Sequence, residues 1–347
     1  MGLHVYHAEL AEAQADPALA RLLARSDTSV PFDRIEWLQL MAQECLPARD
    51  CFLAVAREGD AVAVLPLAPA ARGLGPLGNW YSFFVRPQVN ADAPHLLRAL
   101  AASLARHGAI ELSPMPEDAA RALAQAFRDT GWLGRVEPCD TNHHLALNGR
   151  SFAEYWSTRP GALRETVRRK GRKGVVALRI ATRFDPADWA AYEAIYARSW
   201  KPGEGSPAFL RRFAEMEGAA GALRIGLAEI DGQAVAAQFW TVEGGTAWIH
   251  KLAHDERAGA HSPGTLLSAA LFEHVIDRDR VHTVDFGTGN DPYKRDWMES
   301  VRARFRLRFY RPGAIRHWPA LARMTVRSIL PTQSLPTSSL ASPSPAG

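Results

Sequence analysis

The segment from His250 to Trp297 holds most of the side chains with which this chain could carry out chemistry. Within it, residues 285–290 (DFGTGN) end a predicted strand in a glycine-rich turn, where the lack of side chains lets a ligand approach the backbone. An ordinary loop is the alternative. Residues 291–297 (DPYKRDW) follow and place Lys294 between aromatic side chains. A cation fixed in a dry site stabilises negative charge on a reacting oxygen, so Lys294 is the first catalytic candidate.

Lysine is a scarce residue type in this sequence. The chain has 36 arginines and 5 lysines, and none of the lysines occurs before residue 170. Because surface positive charge here is normally supplied by arginine, each lysine is a candidate for a specific role. The five are Lys170, Lys173, Lys201, Lys251 and Lys294.

A predicted helix start gives a second candidate site. Ser262 and Pro263 suit the cap and the first position of a helix, and Gly264 and Thr265 follow. The free amides and the positive dipole end of such a start can hold a phosphate group without any side chain. The alternative is an ordinary capped helix, because Ser-Pro starts are common where no ligand binds.

Two further residues could act as general bases. His250 and Asp285 are both predicted on core strands near the glycine-rich turn, and either could remove a proton directly or through water. The alternative for His250 is a histidine satisfied within the core. The alternative for Asp285 is a structural carboxylate that accepts bonds from the amides of the following loop.

The elements that must position these residues occur twice along the chain. A predicted hairpin with a tight Gly-containing turn is followed by a helix and then by a short strand, in the same order in both halves. The chain is therefore predicted to be α/β, with two related halves that meet near Gly149. The matched stretches are 52–67 with 223–242, 94–100 with 263–271, and 109–114 with 283–288.

Two other patterns in the second half are informative. Aromatic residues at helical spacing over 186–201 predict a helix whose aromatic face is more plausibly core than ligand-binding. Residues 301–311 (VRARFRLRFYR) alternate apolar residues with arginine, which predicts an edge strand with one basic face. The Ser/Pro-rich C-terminal residues are predicted to be a disordered tail.

Positive charge is concentrated in two places, although the net charge is only +4. Residues 164–173, which include Arg168, carry a net charge of +5, and eight arginines but no acidic residue follow Glu299. The rest of the chain is acidic. This distribution predicts an anionic partner, such as phosphate groups or a lipid surface, and Arg168 is taken as a substrate-binding candidate. The alternative is two solvated basic faces.

Several function classes are excluded by the sequence. The uncharged stretches are far shorter than the roughly 20 apolar residues that a membrane span needs. The N-terminus (MGLHVYHAEL) lacks the features of a secretory signal, so a cytoplasmic location is expected. The three cysteines, Cys45, Cys51 and Cys139, are scattered, so we expect reduced thiols and no metal site.

The order of these motifs along the chain resembles that of a known protein family. The order of a strand meander, SPGTLL opening a helix and then VDFGTGNDPYKRDW resembles the GNAT domain of CelD-type envelope-polysaccharide proteins, and is similar to the C-terminal half of Fem-type aminoacyltransferases. The similarity covers roughly residues 150–318. From the usual helix-start motif of the superfamily, Gln/Arg-x-x-Gly-x-Gly/Ala, residues 261–266 keep only Gly264.

The resemblance implies a fold, a donor and site residues. It implies two tandem GNAT-like halves, 1–149 and 150–318, each a mixed sheet flanked by helices, followed by a basic amphipathic segment and tail at 319–347. Acyl-CoA would be the donor, bound at Ser262, Gly264 and Thr265, and no metal would be required. The aromatic-lysine pair Tyr293-Lys294, with Trp297, matches the Fem-type pair, whose lysine is implicated in binding the acyl group and stabilising the oxyanion.

The resemblance further implies transfer of an acyl group to a primary amine. The leading specific hypothesis for the acceptor is a lipid amine of the sphingoid type, because the sequence also resembles GNAT-like bacterial ceramide synthases. Residues 315–330 mix arginines with apolar side chains, as a segment at the inner-membrane surface would, and so agree with a lipid acceptor. An amino sugar or nucleotide sugar for an envelope polysaccharide is the second. A non-catalytic scaffold is the third. No nucleic-acid partner is expected.

Overall fold

One mixed β-sheet runs through the whole of the computed structural model, which describes residues 2–199, 201, 203–314 and 318–319. In the described part the first half of the chain contributes seven strands and the second half six. They are β1 (His4–Glu9), β2 (Phe52–Glu58), β3 (Ala61–Ala70), β4 (Gly73–Pro76), β5 (Gln88–Val89), β6 (Ala109–Met115), β7 (Leu133–Ala146), β8 (Ala177–Ala181), β9 (Leu223–Ile230), β10 (Gln233–Glu243), β11 (Thr246–His254), β12 (Thr283–Thr288) and β13 (Ser300–Tyr310).

Helices cover both faces of this sheet. Their starts follow local rules: Asp185 and Ser206, for example, each accept bonds from the first free amides of a helix that has proline at its first position. The α-helices are α1 (Pro17–Leu22), α2 (Ile35–Cys45), α3 (Pro94–Ser103), α4 (Glu117–Asp129), α5 (Phe152–Ser157), α6 (Gly161–Gly171), α7 (Pro186–Arg198), α8 (Pro207–Ala219), α9 (Pro263–Glu273) and α10 (Lys294–Trp297).

Three apolar clusters hold the layers together. One sheet face packs against α1, α2, α7 and α8, and its core includes Trp37 and the predicted aromatic stripe of α7. The opposite face packs against α3 and α4 over the first half and against α5 and α9 over the second. Trp189 and Tyr192 of the α7 stripe are buried, so that stripe is core, as the sequence predicts.

The two halves repeat one arrangement of strands. In the first half β4 lies parallel to β6, and in the second half β11 lies parallel to β12. Each parallel pair is joined by a connection that contains one helix, α3 or α9. The mixed α/β sheet with flanking helices that the sequence predicts is therefore the observed architecture.

The halves also exchange strands where they meet. The order across the centre of the sheet is β6-β13-β7-β12, which alternates between the first and the second half of the chain. β13 pairs with β7 from Ser300 opposite His144 to Tyr310 opposite Leu133. Residue 149 therefore marks a change of half in the sequence, but it does not separate two sheets.

The position of β13 corrects one expectation. The alternation over 301–311 predicts an edge strand, whereas the structure places β13 at the centre of the sheet, with a neighbour on each side. Phe305, Leu307 and Phe309 face the cluster under α3 and α4, as the alternation predicts. The arginine face is partly buried, and Arg304 is only 2% exposed.

A buried charge cluster joins the helical layers of the two halves. Arg25 and Arg34 of the first half each reach both Glu217 and Glu243 of the second, with N–O distances of 2.5 to 3.1 Å. The side chains of Arg34, Glu217 and Glu243 are at most 4% exposed. Burial of both carboxylates makes their two arginine partners essential, because an unpaired buried charge is costly.

Three expectations concern segments and groups at the margins of the fold. The basic segment over 315–330 and the Ser/Pro-rich tail lie outside the described residues, apart from Trp318 and Pro319. Among residues with a described structure, no helix combines the length and the apolar character needed to cross a membrane. The three cysteines are free thiols, and no set of three metal-binding side chains occurs in the described part.

Candidate functional site

A cavity of about 440 Å³ lies at the point where β11 and β12 separate. The two strands pair over three residues only, Thr246–Trp248 of β11 with Thr283–Asp285 of β12. The rest of β11, up to His254, therefore has no pairing partner in β12. The start of α9 forms a second wall of the cavity, and Tyr293 and Trp297 form a third. The topology therefore creates the opening, and α9 borders it.

The first turn of α9 presents its amide end to this cavity. Ser262 has a left-handed backbone (φ 51°) and makes no capping bond with its side chain. Pro263 has no N–H to satisfy, and Gly264 and Thr265 line the cavity. A helix end without a side-chain cap retains free N–H donors and a positive dipole end, which together bind anions.

The side chain of Gln238 fixes the position of this helix on the sheet. Its amide nitrogen donates to the carbonyl oxygen of Gly264 (3.1 Å) and to the hydroxyl of Ser268 (2.8 Å). Trp240 in turn donates its indole N–H to the Gln238 carbonyl oxygen (3.0 Å). These bonds tie the start of α9 to the middle of β10.

A histidine and a lysine enter the same cavity. His254, at the end of β11, is half-buried, and burial above all lowers the pKa of its imidazole, so the ring is neutral at pH 7. Lys201 lies in the connection between α7 and α8, and burial together with the charge of Lys251 lowers the pKa of its ammonium group to about 8. A neutral imidazole and a cation with an unusually low pKa therefore share one cavity, a combination typical of functional sites.

Gly264 leaves the space beside His254 open. A Cβ atom added to Gly264 would lie 3.5 Å from Nδ1 of His254, which is ordinary contact, so any longer side chain would extend into the space next to the imidazole. The sequence resemblance places Ser262, Gly264 and Thr265 at the donor, and the structure brings these three residues to one wall.

The basic helix α6 lies beside this wall. Leu163 lines the cavity, and the Lys170 ammonium group donates to the carbonyl oxygen of Ala260, just before α9. Arg168 itself is exposed and pairs with Glu165 within the helix, so it does not reach the cavity. The charge of α6 as a whole, rather than Arg168 alone, borders the site.

Tyr293 and Trp297 are the aromatic residues that the sequence assigns to the substrate, and both line the cavity. Trp297 is 5% exposed and stacks on Phe272 of α9, with ring centroids 5.0 Å apart. Tyr293 packs edge-on against Phe286, and burial raises the pKa of its hydroxyl to about 12. Tyr293 therefore stays protonated at neutral pH and can donate a hydrogen bond or a proton, but it cannot act as a base.

Lys294 does not line the cavity. Its side chain is 5% exposed, and its ammonium group donates to the carbonyl oxygens of Thr288 and Gly289 and lies 3.6 Å from Asp291. Burial lowers the pKa of this ammonium group. The structure therefore gives Lys294 the role of holding the loop between β12 and α10.

His250 is also placed away from the cavity. Its ring lies within a cage of aromatic side chains that includes Phe213 and Phe239, and its Nε2 atom is 2.9 Å from the Thr241 hydroxyl. Removal from water lowers the pKa of His250 to about 3. So weak a base, outside the cavity, is a core histidine, which was the alternative interpretation of its sequence position.

Asp285 is a buried structural carboxylate. It accepts bonds from the Gly287 amide and the Asn142 side chain, both 2.8 Å long, and from Arg302, also at 2.8 Å. Asn142 donates a second bond to the carbonyl oxygen of Gly287 (2.8 Å). The network joins β7, β12 and β13 and sets the path of the glycine-rich turn, so Asp285 corresponds to the structural alternative.

The backbone of the glycine-rich turn packs against the first half of the chain and does not face an open cavity. Gly287 has a positive φ of 67°, and a Cβ atom there would lie 3.1 Å from the Phe83 ring of the first half. Glycine is therefore required at this position for the packing of the two halves. The sequence allows either a ligand or an ordinary loop at this backbone, and the contact with Phe83 favours the loop.

Sequence reasoning missed the two cavity groups best suited to chemistry. His254 had one local signal, namely a histidine at the end of a predicted strand eight residues before a helix start. Lys201 had the scarcity of lysine as its signal. Only the pairing of β11 with β12 shows that the end of β11 is open, and this pairing joins residues 37 positions apart.

Part of the chain matches a known domain family. Residues 160–295 match the family described as Acetyltransferase (GNAT) domain, and this range contains α9, the whole parallel pair β11 and β12, and both His254 and Lys201. A search of curated proteins found no match.

Solved structures share the fold of nearly the whole chain. FemX is 9% identical in sequence, with a TM-score of 0.61, and the match covers 90% of this chain and 98% of the FemX chain. L-PGS from Bacillus licheniformis is 13% identical with a TM-score of 0.54, covering 85% and 96%. A tandem GNAT protein from the clavulanic acid biosynthesis pathway is 16% identical with a TM-score of 0.53, covering 88% and 98%. The chain therefore has a tandem GNAT-like fold, and residues 160–295 of its second half match the acetyltransferase (GNAT) domain family.

Proposed function

We propose that the protein is an N-acyltransferase that moves an acyl group from acyl-CoA to a primary amine. The observation that carries the proposal is the open cavity at the uncapped start of α9, in which His254 and Lys201 meet. A non-catalytic scaffold has no need of such an opening within a GNAT domain. The match of residues 160–295 to the acetyltransferase (GNAT) family supports the same reaction class.

The donor would bind with its diphosphate at the start of α9. The N–H groups of Gly264 and Thr265 are the first free donors of that helix, and the helix dipole favours negative charge there. The basic helix α6 lies alongside and adds positive charge, and Lys170 bonds the segment that leads into α9. The acyl end of the donor would then extend along the unpaired end of β11 toward His254.

The reaction needs a base, and His254 suits it. The amine nitrogen attacks the thioester carbonyl carbon and loses a proton to Nδ1 or Nε2 of His254, directly or through a water. The C–N bond forms, the C–S bond then breaks, and the departing CoA thiolate takes up a proton from the imidazolium. Because burial lowers the pKa of His254, the ring is in its basic form at neutral pH.

The tetrahedral intermediate needs positive charge, and we assign that role to Lys201. Negative charge develops on the carbonyl oxygen, and a cation in a site removed from water stabilises it. With a pKa of about 8, the Lys201 ammonium group is mostly charged at pH 7. Lys294, which the sequence analysis favoured for this role, acts instead as a positioning residue through the loop at 288–291.

The character of the cavity bears on the acceptor. Lys201, His254 and Asp296 place charged or polar groups in a lining whose exposed surface is otherwise mostly apolar, and the volume of about 440 Å³ must also admit the acyl end of the donor. A long-chain lipid base needs a long apolar groove, so these features favour a small polar amine, such as an amino sugar, over the sphingoid base. Short acyl groups are favoured over long ones for the same reason.

The test measures free thiol release from acyl-CoAs of graded chain length. Three acceptors are supplied separately: glucosamine, a nucleotide-linked amino sugar and a sphingoid base. We expect release with acetyl-CoA and a sugar amine, and its loss in His254→Gln. The matched control is His95→Gln, an exposed histidine of the first half. Release from no donor with any acceptor would overturn the proposal and favour a scaffold, and release only with a long-chain donor and the sphingoid base would overturn our choice of acceptor.

The basic helix supports one second candidate, transfer of an aminoacyl group from tRNA. Arg164, Arg168, Arg169, Lys170, Arg172 and Lys173 lie on or just after α6, next to the cavity. A polyanionic donor would engage this surface more strongly than acyl-CoA. The same assay with charged tRNA as donor separates the candidates, since Arg169→Gln with Arg172→Gln should abolish transfer from tRNA and only weaken transfer from CoA.

A further inference from the structure

A second cavity, of about 470 Å³, lies in the first half of the chain. It is bordered by the turn between β3 and β4, by β6, by β13 and by the segment that leads from α2 to β2. It shares no lining residue with the cavity at the start of α9. Neither the proposed reaction nor the family match, which begins at residue 160, uses this space.

Positive charge dominates the lining of this second cavity. Arg49, Arg72 and Arg308 line it, and the single acidic lining residue is Glu111. Glu111 is already engaged, because Arg308 lies 2.7 Å and Arg306 3.2 Å from its carboxylate oxygens. The cavity therefore carries more positive charge than the protein itself neutralises.

The two arginines at the mouth are the ones available to a ligand. Arg49 and Arg72 are exposed, and neither forms an ion pair with a described residue. They come from different parts of the chain, the α2–β2 segment and the β3–β4 turn, and so approach the opening from two sides. Two guanidinium groups on one opening form a forked set of donors that suits phosphate or carboxylate oxygens.

Neutral groups complete the lining. Ser113 of β6 and Tyr310 of β13 both line the cavity and each has a hydroxyl group. Tyr310 is 6% exposed and so forms part of a fixed wall. A ligand there would meet two exposed cations at the mouth and a buried, partly polar wall behind them.

We propose that this cavity is a binding site for a small organic anion, whose phosphate or carboxylate group is held by Arg49 and Arg72. Arg308 and Tyr310 belong to β13, the strand that the second half inserts into the first. The site is therefore complete only when the strand exchange is complete. Binding would consequently stabilise the joined state of the two halves.

The test is a calorimetric titration of the full chain with inorganic phosphate and, separately, with acetate, at ionic strength held constant with chloride. The double variant Arg49→Gln/Arg72→Gln should weaken binding at least about tenfold, because it removes two charge-assisted contacts. The matched control is Arg21→Gln/Arg98→Gln, two exposed arginines of the same half that do not line the cavity. The control double variant should bind like the unaltered chain.

A second variant tests the location without removing charge. Ala71 lines the cavity and is exposed, so Ala71→Trp fills the opening without disturbing the core. It should also weaken binding at least about tenfold. Absence of binding by both anions, or equal binding by the two arginine double variants, would overturn the proposal. The phosphate and acetate arms show which anion is preferred, and neither depends on acyl transfer, so this proposal and the proposed function fail separately.

Discussion

The starts of helices α3 and α9 occupy equivalent places in the two halves, and they differ in the side chain at the second helical position. Each begins with proline after a residue that makes no side-chain cap, Ala93 in the first half and Ser262 in the second. The next residue is His95 in α3 and Gly264 in α9. His95 extends a ring that lies 2.9 Å from Glu58, whereas Gly264 leaves its space to the cavity and to His254.

This difference shows how one fold supports a site in one half only. Both halves have a parallel strand pair and a helix that connects its two strands, so this topology alone does not create a donor site. The cavity of the first half lies away from the start of α3, and no histidine lines it. A glycine at the second helical position, together with a histidine on the neighbouring strand, distinguishes the second half.

The strongest test of this contrast is His254→Gln. If His254 is the base that only the second half possesses, kcat should fall on the order of 10²- to 10⁴-fold, with little change in KM for the donor. In the unaltered protein kcat should also fall as the pH drops below the pKa of His254, which lies below 6.5, since protonation removes the base. A variant with an unchanged kcat and the same acid limb would contradict this role.

The next test asks whether the halves are separable. Arg34→Met leaves the buried carboxylates of Glu217 and Glu243 with Arg25 as their only partner in the cluster, so the free energy of unfolding should fall by about 3–5 kcal/mol. Chemical denaturation followed by tryptophan fluorescence measures the change. Arg21→Met, at an exposed position, is the control. A loss under about 1 kcal/mol would mean that water replaces the missing partner.

Exchanging the two helix-start residues tests the contrast directly. Gly264→His should lower kcat/KM for acyl-CoA roughly 100-fold, because the new side chain takes the space beside His254 and displaces the donor. His95→Gly, the reverse change in the first half, should leave kcat/KM unchanged. Steady-state kinetics on both variants, with circular dichroism to check folding, gives the answer. Equal effects of the two changes would refute the assignment of the donor to α9.

A smaller effect is expected from Lys294→Met, and it should appear in stability. The ammonium group holds two carbonyl oxygens of the loop at 288–291, and bonds of this charged type contribute about 1.5–3 kcal/mol. Thermal and chemical unfolding should show a loss in that range. If the variant keeps full stability and yet loses all activity, Lys294 is a catalytic residue, as the sequence resemblance implies.

The smallest effect concerns the charge of Lys201. Its pKa of about 8 means that raising the pH from 8 to 9 removes most of the remaining positive charge, so the rate should fall about fivefold over that interval. Lys201→Arg keeps the charge at every accessible pH and should move this alkaline limb upward. A limb that stays in place in the arginine variant would have to come from another group.

Much of the fold could be predicted from the sequence because local patterns determine it. The hairpin turns, the Ser262-Pro263 helix start and the aromatic stripe of α7 all depend on neighbours within a few residues. The alternation over 301–311 correctly predicts that Phe305, Leu307 and Phe309 share a face. A register shift between Arg304 and Phe305 interrupts the alternation, and Val301, predicted on the same face, is 58% exposed. The pattern cannot show which strands lie beside β13, because alternation carries no information on pairing partners, and the predicted edge strand is therefore central.

The site was harder to predict for the same physical reason. Ser262, Gly264, Thr265, Tyr293 and Trp297 were identified from local motifs, and the structure places all five at one cavity. Lys294, His250 and Asp285 also occur in that segment, but their partners come from distant strands and helices. Whether a polar side chain faces a cavity or a buried partner depends on those distant contacts.

The central position of β13 has a consequence for how the chain is made. The first half cannot complete its sheet until Ser300–Tyr310, near the C-terminal end of the chain, has been synthesised. Until then β6 and β7 each present an unpaired edge, and exposed strand edges are prone to associate with other chains. A ribosome that stops before residue 300 would therefore release a product with two open edges, rather than a finished N-terminal domain.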